Sequence, residues 1–434
     1  MPPVTRRKIL AGLAAAQAAS VPSKATAAEV HRTIGVPLKI TKVEPVIIRS
    51  PNDGKPEPSY VQMTPLGGET EDIGIWRRLE RAETSRQHGV QQSCLVKITT
   101  DQGVYGWGEG HAVTAPRVVR TILTDLFAPI LIGQDARNIE PLFEKLYSTE
   151  RLRGHNSGFW MRAIAAIDIA LWDLVGKAAG LPVYQMLGGK FRDRIHTYQG
   201  VGGNDPAQVR DNVQRLLEIG YPVQKMSLAK GGQAARDFNR VLAAAEVLEG
   251  KGQILVDSLG AYTLHEATLV GRKMDQVGNV GWWEDVLMPE DLDGYARLAD
   301  AIDVPICAGE QYHTRFDFRD LFEKRAADIV NPDPCRIGIT ECKRIAILAD
   351  LHDVLWSPHS SMGSAPYRAA ALHLSVSTPN AVILEGGESY KGPFGNRLLR
   401  EPLDYRPGSA APSDRPGLGV EFDEKELAKV TVRG

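Results

Sequence analysis

Ile254-Leu-Val-Asp257, Gly281-Trp-Trp-Glu284, Ile306-Cys-Ala-Gly-Glu310, Ile329-Val-Asn-Pro-Asp333, Leu355-Trp-Ser-Pro-His359 and Val382-Ile-Leu-Glu385 are six short apolar runs, each closed by one polar, chemically useful residue. The closing residues are spaced by 27, 26, 23, 26 and 26 positions. A buried strand, a short loop, a helix and a return loop fill about that length. The rhythm predicts successive βα units of a parallel (β/α)8 barrel, an α/β fold. Each closing residue then stands at the C-terminal end of its strand, on the face where barrel enzymes gather their catalytic groups.

Five acids and one histidine would therefore meet at one mouth. Asp257, Glu284 and Glu310 come from consecutive strands and become neighbours on the rim. Three carboxylates that close cannot all stay ionised without a cation. All-oxygen ligation with room for water and substrate suits Mg²⁺, one ion per subunit. The next two strand ends bring Asp333 and His359. A carboxylate beside an imidazole orients the ring and raises its basicity, which is how a histidine general base is built.

The order Asp257, Glu284, Glu310, then Asp333-x-x-x-x-Gly338, Ser357-x-His359 and Ile383-Leu-Glu385 resembles the enolase superfamily, mandelate racemase subgroup. The similarity extends over nearly all of residues 38–434. It implies a barrel of the (β/α)7β form under an α+β cap, with the C-terminal segment returning to that cap. The chain divides accordingly into residues 1–28, an export signal; 38–190, the cap; 191–385, the barrel; and 386–434, the returning segment.

Outward from the barrel, the cap is legible in three strands: Ile40–Ile48, Cys94–Thr99 and Val104–Glu109, the last two joined by an Asp101-Gln-Gly103 turn. Apolar residues at helical spacing follow from Arg162 to Ala179, ending at Gly180-Leu-Pro182. The long Pro51–Gly89 stretch corresponds to the mobile lid of the resembled family. Glu109 and His111 follow the third strand within reach of the mouth, with His111 equally well placed on the surface. Gly106-Trp-Gly108-Glu-Gly110 lacks the spacing of a dinucleotide-binding loop.

The first barrel strand is expected at Ile195–Gln199 and the second at Pro222–Leu228. Here the chain departs from the resembled pattern, which often carries Lys-x-Lys. It reads Lys225-Met-Ser227, and a serine cannot replace a desolvated lysine as base. Lys225 remains to stabilise the substrate carboxylate, with Lys230 a weaker stand-in. Leu259 stands where the pattern continues with Asn or His, so no acid is offered from that strand.

At the N-terminus, Arg6-Arg7 precedes a short Ala/Leu/Gly run and the small residues Ala25-Thr-Ala-Ala28. This reads as a twin-arginine export signal recognised by the Tat translocase, delivering the protein to the periplasm. The run is too short and interrupted for a membrane anchor. The 434 residues carry 51 basic and 53 acidic side chains, a net charge of −2. Losing residues 1–28 would take four basic residues and no acid, leaving 47 against 53, or −6. Nothing in that balance invites nucleic acid. Cys94, Cys307, Cys335 and Cys342 show no metal-binding spacing and are expected as buried thiols, the alternative in an exported protein being a Cys335–Cys342 disulfide.

The expected enzyme abstracts the proton α to a carboxylate with His359, held by Asp333, while Mg²⁺ stabilises the enediolate and Glu385 and Lys225 attend the carboxylate. Because Ser227 removes the usual second base, elimination of water is favoured over racemisation. The expectation is an acid-sugar (aldonate or aldarate) dehydratase giving a 2-keto-3-deoxy product, and a homo-oligomer. The alternatives are a racemase or epimerase using Lys225 as second base, and a non-catalytic exported sugar-acid-binding protein.

Overall fold

The computed structural model describes residues 35–51, 91–111, 115–228, 234–361 and 363–432. Residues 1–28, expected as an export signal, nearly all of the Pro51–Gly89 stretch expected as a lid, and Lys230 lie outside the described residues.

Three antiparallel strands open the cap: β1 (Ile40–Arg49), β2 (Gln92–Thr100) and β3 (Tyr105–Gly110). Behind them run α1 (Pro116–Thr121), a π-helical turn over Ile122–Phe127, α2 (Ala128–Leu131), α3 (Ile139–Thr149) and α4 (Gly158–Ala179). The short α5 (Val183–Met186) leads into the barrel. The Gly106-x-Gly108-x-Gly110 alternation now has a packing reason. On one face of β3 these glycines lie against successive turns of α4, where a Cβ would stand only 2.1, 1.9 and 2.5 Å from the carbonyls of Ala170, Ala166 and Arg162. No residue with a side chain permits that approach.

The barrel follows with strands β4 (Ile195–Gly200), β5 (Val223–Ser227), β6 (Gln253–Asp257), β7 (Val280–Glu284), β8 (Ile306–Ala308), β9 (Ile329–Val330), β10 (Leu355–Trp356) and β11 (Leu384–Glu385). All neighbours from β4 to β10 pair in parallel, and β11 pairs with β4. The ring is completed where Trp356 bridges Ala381, its N–H donating to Asn380 and its carbonyl accepting from Val382. Seven helices alternate with the strands: α6 (Pro206–Ile219), α7 (Ala234–Leu248), α8 (Leu264–Met274), α9 (Leu292–Ala299), α10 (Arg315–Glu323), α11 (Pro334–Leu351) and α12 (Ala365–Ser377). This is the (β/α)7β arrangement.

The tail forms a hairpin of β12 (Asp404–Arg406) and β13 (Ser409–Ala411), with β13 antiparallel to β4. It ends in α13 (Glu424–Val430), after which Thr431 bridges Ile48 of the cap.

Buried acids on α4 tie these parts together. Asp173 accepts from the backbone N–H of Trp107 in β3 and of Leu418 in the tail, both at 2.8 Å, and from Lys177 Nζ at 2.8 Å. Asp168 accepts from Thr340 of α11 through N–H at 2.9 Å and Oγ1 at 2.5 Å. The four cysteines are free and buried, with no Cys335–Cys342 bridge.

Candidate active site

Register places the candidate ligands. Ser227 stands opposite Asp257, and Asp257 opposite Glu284. Glu310, Asp333 and His359 sit two or three residues beyond their strands, because the ladder stops early. Pro332 and Pro358 lack the N–H needed to extend β9 and β10.

The Asp333-x-x-x-x-Gly338 spacing has a local cause. Asp333 caps α11 by accepting from Cys335 N–H at 2.8 Å. One turn later Gly338 adopts φ 87°, a kink inside the helix. A Cβ there would meet Asp168 Oδ2 at 2.7 Å. The first turn is thereby set off from the rest of α11, and the second Asp333 oxygen is left to face His359.

His359 Nδ1 lies 2.8 Å from Asp333 Oδ2 and 3.1 Å from the Tyr367 hydroxyl. Its Nε2 faces inward, 3.0 Å from Glu310 Oε2 and 3.3 Å from Glu385 Oε2. Burial works to lower the ring's proton affinity. Glu310, Glu385 and Asp333 outweigh it and hold His359 well above the ordinary histidine value. Burial likewise opposes ionisation of Asp333, but His359 and Arg336, whose Nε lies 3.1 Å away, hold it below the usual carboxylate range.

On the opposite side of the mouth, Lys225 Nζ sits 3.1 Å from Glu284 Oε1, 3.4 Å from Asp257 Oδ2 and 3.5 Å from Glu385 Oε1. Burial alone would favour the neutral amine, yet Glu284 and Glu385 raise Lys225 well above its ordinary value. Glu284 also accepts from Asn331 Nδ2 at 2.9 Å and Trp282 Nε1 at 3.1 Å. Burial, only partly offset by Lys225, still pushes Glu284 up to about 8 and raises Asp257.

These shifts test whether the residues suit a divalent cation. The buried acids of the mouth outnumber the cations, and burial raises Glu284 and Asp257 above the ordinary carboxylate range. An added hard cation relieves that excess, and the donors are all oxygen. The donor chemistry therefore fits Mg²⁺. Among the described residues, however, no three such side chains are already gathered as a metal-holding set. Asp257 and Glu284 are turned to Lys225, and Glu310 to His359.

All seven residues singled out from the sequence thus line one mouth. Glu109 does not join them. It is buried and satisfied by Ser93 Oγ at 2.6 Å, Ser364 N–H at 3.0 Å and Ser364 Oγ at 2.6 Å. His111 is buried beside Tyr367 rather than on the surface, and burial pulls it down to about 3. Ser227 is exposed, and Leu259 takes a left-handed φ of 45°. Sequence reasoning missed Asn331, whose side chain joins Glu284 to the Glu310 N–H, although it closes the same apolar run as Asp333. It also missed Arg336, one turn into the capped helix.

Residues 77–188 match the Mandelate racemase / muconate lactonizing enzyme N-terminal domain, and residues 208–426 match the Enolase C-terminal domain-like family. A D-galactonate dehydratase from Variovorax paradoxus is 34% identical over 346 residues, covering 77% of this chain and 89% of that protein. The crystal structure of an enolase superfamily member from Agrobacterium tumefaciens is 28% identical with a TM-score of 0.79, covering 92% of this chain and all 100% of the other. The 3,6-anhydro-D-galactonate cycloisomerase from Zobellia galactanivorans is 29% identical with a TM-score of 0.74, covering 91% and 100%. The chain belongs to the mandelate racemase / muconate lactonizing enzyme family of the enolase superfamily.

Proposed function

We propose that this member of the family is a hydro-lyase that dehydrates a sugar acid to its 2-keto-3-deoxy product. The observation that carries the reading is a single inward-facing base, His359 Nε2, on a ring fixed at Nδ1 by Asp333 at 2.8 Å. Similarity to a D-galactonate dehydratase supports the same class.

Asp257, Glu284 and Glu310 would hold Mg²⁺, which when bound supplies positive charge to a carboxylate whose α-carbon is losing a proton. The chain's own residues do the rest. Lys225 and Glu385 flank the substrate carboxylate. His359 Nε2 takes the α-proton, and the C–H electron pair moves into the carboxylate. As the pair returns, the β C–O bond breaks, and the departing oxygen takes the proton from His359 and leaves as water. The resulting enol becomes the 2-keto acid. Asp333 keeps Nδ1 protonated throughout, so Nε2 alone exchanges the proton.

Lys225 is a poor second base for racemisation. Its Nζ is spread among Asp257, Glu284 and Glu385 within 3.5 Å, with no single carboxylate fixing it as Asp333 fixes His359. Ser227 offers no replacement. The test is turnover of a sugar-acid panel with Mg²⁺ and with chelator, following the 2-keto product. Deuterium washed into recovered substrate without 2-keto product would replace this reading with an isomerase. Undiminished turnover after exhaustive chelation would remove the Mg²⁺ assignment.

A further inference from the structure

Arg368 is the one strongly basic residue in the run Ala365-Pro-Tyr-Arg368-Ala-Ala-Ala-Leu372, which is buried throughout. It sits in the first turn of α12 and is 3% exposed. Its neighbours in that run are small or apolar, so the guanidinium stands alone among them. Burying one without partners is costly.

Its partners are few. Arg368 Nε has no hydrogen-bond partner. NH1 reaches the Phe394 carbonyl only at 3.4 Å. Among the described residues no carboxylate stands within 4.0 Å of the guanidinium, although Glu109 is close enough to be felt electrostatically. Glu109 is itself engaged by Ser93 and Ser364. Burial accordingly pulls Arg368 below the usual guanidinium value.

The guanidinium lines a cavity of about 330 Å³ that it shares with Tyr198, Gln199, Lys225, Ser360 and Glu385. That volume is at the small end of ligand pockets and suits a metabolite of about six carbons. The cavity is lined by two cations, Lys225 and Arg368, and by two carboxylates, Glu385 beside Lys225 and Glu388, which is paired with Lys391. Lys225 is already neutralised by Glu284, Asp257 and Glu385, whereas Arg368 faces no carboxylate among the described residues, its Nε unpaired and its NH1 making only the long contact to Phe394. A planar, five-donor guanidinium is matched best by a carboxylate accepting two parallel hydrogen bonds.

We propose that Arg368 is a specificity-determining residue that receives a second carboxylate of the substrate, so that within the sugar acids the chain acts on a diacid, an aldarate, in preference to an aldonate. This rests on the dehydratase reading for the reaction, but not for the binding. One carboxylate lies by Lys225 and the acidic trio, and the other satisfies Arg368.

The binding arm of the test uses unreactive probes. Adipate and hexanoate share a six-carbon chain, differ by one carboxylate, and have no hydroxyl to eliminate. Calorimetric titration into the Mg²⁺-loaded full chain should show adipate binding at least about tenfold tighter than hexanoate, the range of a charge-assisted hydrogen-bonded pair. Arg368→Met should bring adipate down to the level of hexanoate and leave hexanoate unchanged, and Arg368→Lys should restore part of the difference. Equal binding of the two acids by the wild type, or no measurable adipate binding, overturns the proposal without any variant. Equal weakening of both acids in Arg368→Met also overturns it, since that marks a merely structural arginine. The kinetic arm compares galactarate with galactonate, and galactarate should have the larger kcat/KM in the wild type alone. If adipate binds as described while neither sugar acid is dehydrated, the diacid site stands and the dehydratase reading falls.

Discussion

Replacing Lys225 by Met removes the ammonium that lies 3.1 and 3.3 Å from the two Glu284 oxygens, 3.4 Å from Asp257 and 3.5 Å from Glu385. At an effective dielectric of about 20, one such contact is worth about 5 kcal/mol of gross attraction. The net loss is much smaller for two reasons. Lys225 no longer has to be desolvated, and Glu284, already pushed up to about 8, takes a proton at little cost near neutrality. Breaking a buried pair of this kind typically costs about 3–5 kcal/mol. Urea unfolding in chelator should show a deficit of that size. The deficit should grow as pH rises above about 8, because there the wild-type Glu284 ionises beside the ammonium while in the variant it must hold its proton or ionise without a counter-charge. With Mg²⁺ at about 100 times its Kd, binding contributes about 2.7 kcal/mol and supplies the carboxylates with a new counter-charge. Mg²⁺ should therefore stabilise the variant more than the wild type. A deficit below about 1 kcal/mol, or one of equal size in chelator and Mg²⁺, would refute the view that Lys225 balances the same carboxylates as the metal.

His359→Asn should abolish both 2-keto product and α-proton exchange, a loss of about 10² to 10⁴ in rate; retained exchange would place the base elsewhere. Asp333→Asn should lower kcat while leaving KM nearly unchanged, because the ring loses its orientation and not its place, and steady-state kinetics on the preferred sugar acid decide it. Burial, opposed by Thr340, pushes Asp168 up to about 7. The native state therefore holds a proton that the unfolded chain releases near pH 4, and stability falls as pH rises through about 7. Asp168→Asn should flatten the urea midpoint between pH 5 and 8 relative to the wild type. Gly108→Ala should destabilise by several kcal/mol, since its Cβ would fall 1.9 Å from the Ala166 carbonyl; a far-UV melt within about a degree of wild type would contradict that packing. Export through the Tat route is proposed from Arg6 and Arg7, and changing both to Lys should leave the protein in the cytoplasm.

The barrel was legible because each buried strand spends its last position, or the loop just after it, on a polar group. That alternation survives in the sequence as a period of about 26 residues. Six of the seven candidate residues were found this way and Lys225 from the resembled Lys-x-Lys pattern, and all seven meet at one mouth. What pairs with what was not legible. The contacts of Lys225 with Asp257, Glu284 and Glu385 join β5 to β6, β7 and β11, and no local pattern encodes such long-range neighbours. His111 was open between surface and site because Gly106, Gly108 and Gly110 carry no side chains from which to read a buried face. Their burial comes from α4, more than 50 positions downstream. Arg368 was invisible for the opposite reason. An arginine in an alanine-rich helix reads as solvent-facing until the neighbouring helices and tail close over it.

The brace between Asp168 and Thr340 has a consequence for recombination. The turn that aims Asp333 at His359 is steadied from the cap, by a carboxylate on α4 that leaves room only for glycine at position 338. A chimera that keeps this barrel but borrows a relative's cap inherits that relative's side chain opposite Gly338. If the donor cap lacks an acid there, Thr340 loses its acceptor and the kink its support, and the proton-transfer pair drifts although every barrel residue is intact. Cap exchange, the obvious route to a new substrate range, would then lower turnover on all substrates alike, and the remedy would be one aspartate on the transplanted helix rather than any change at the mouth.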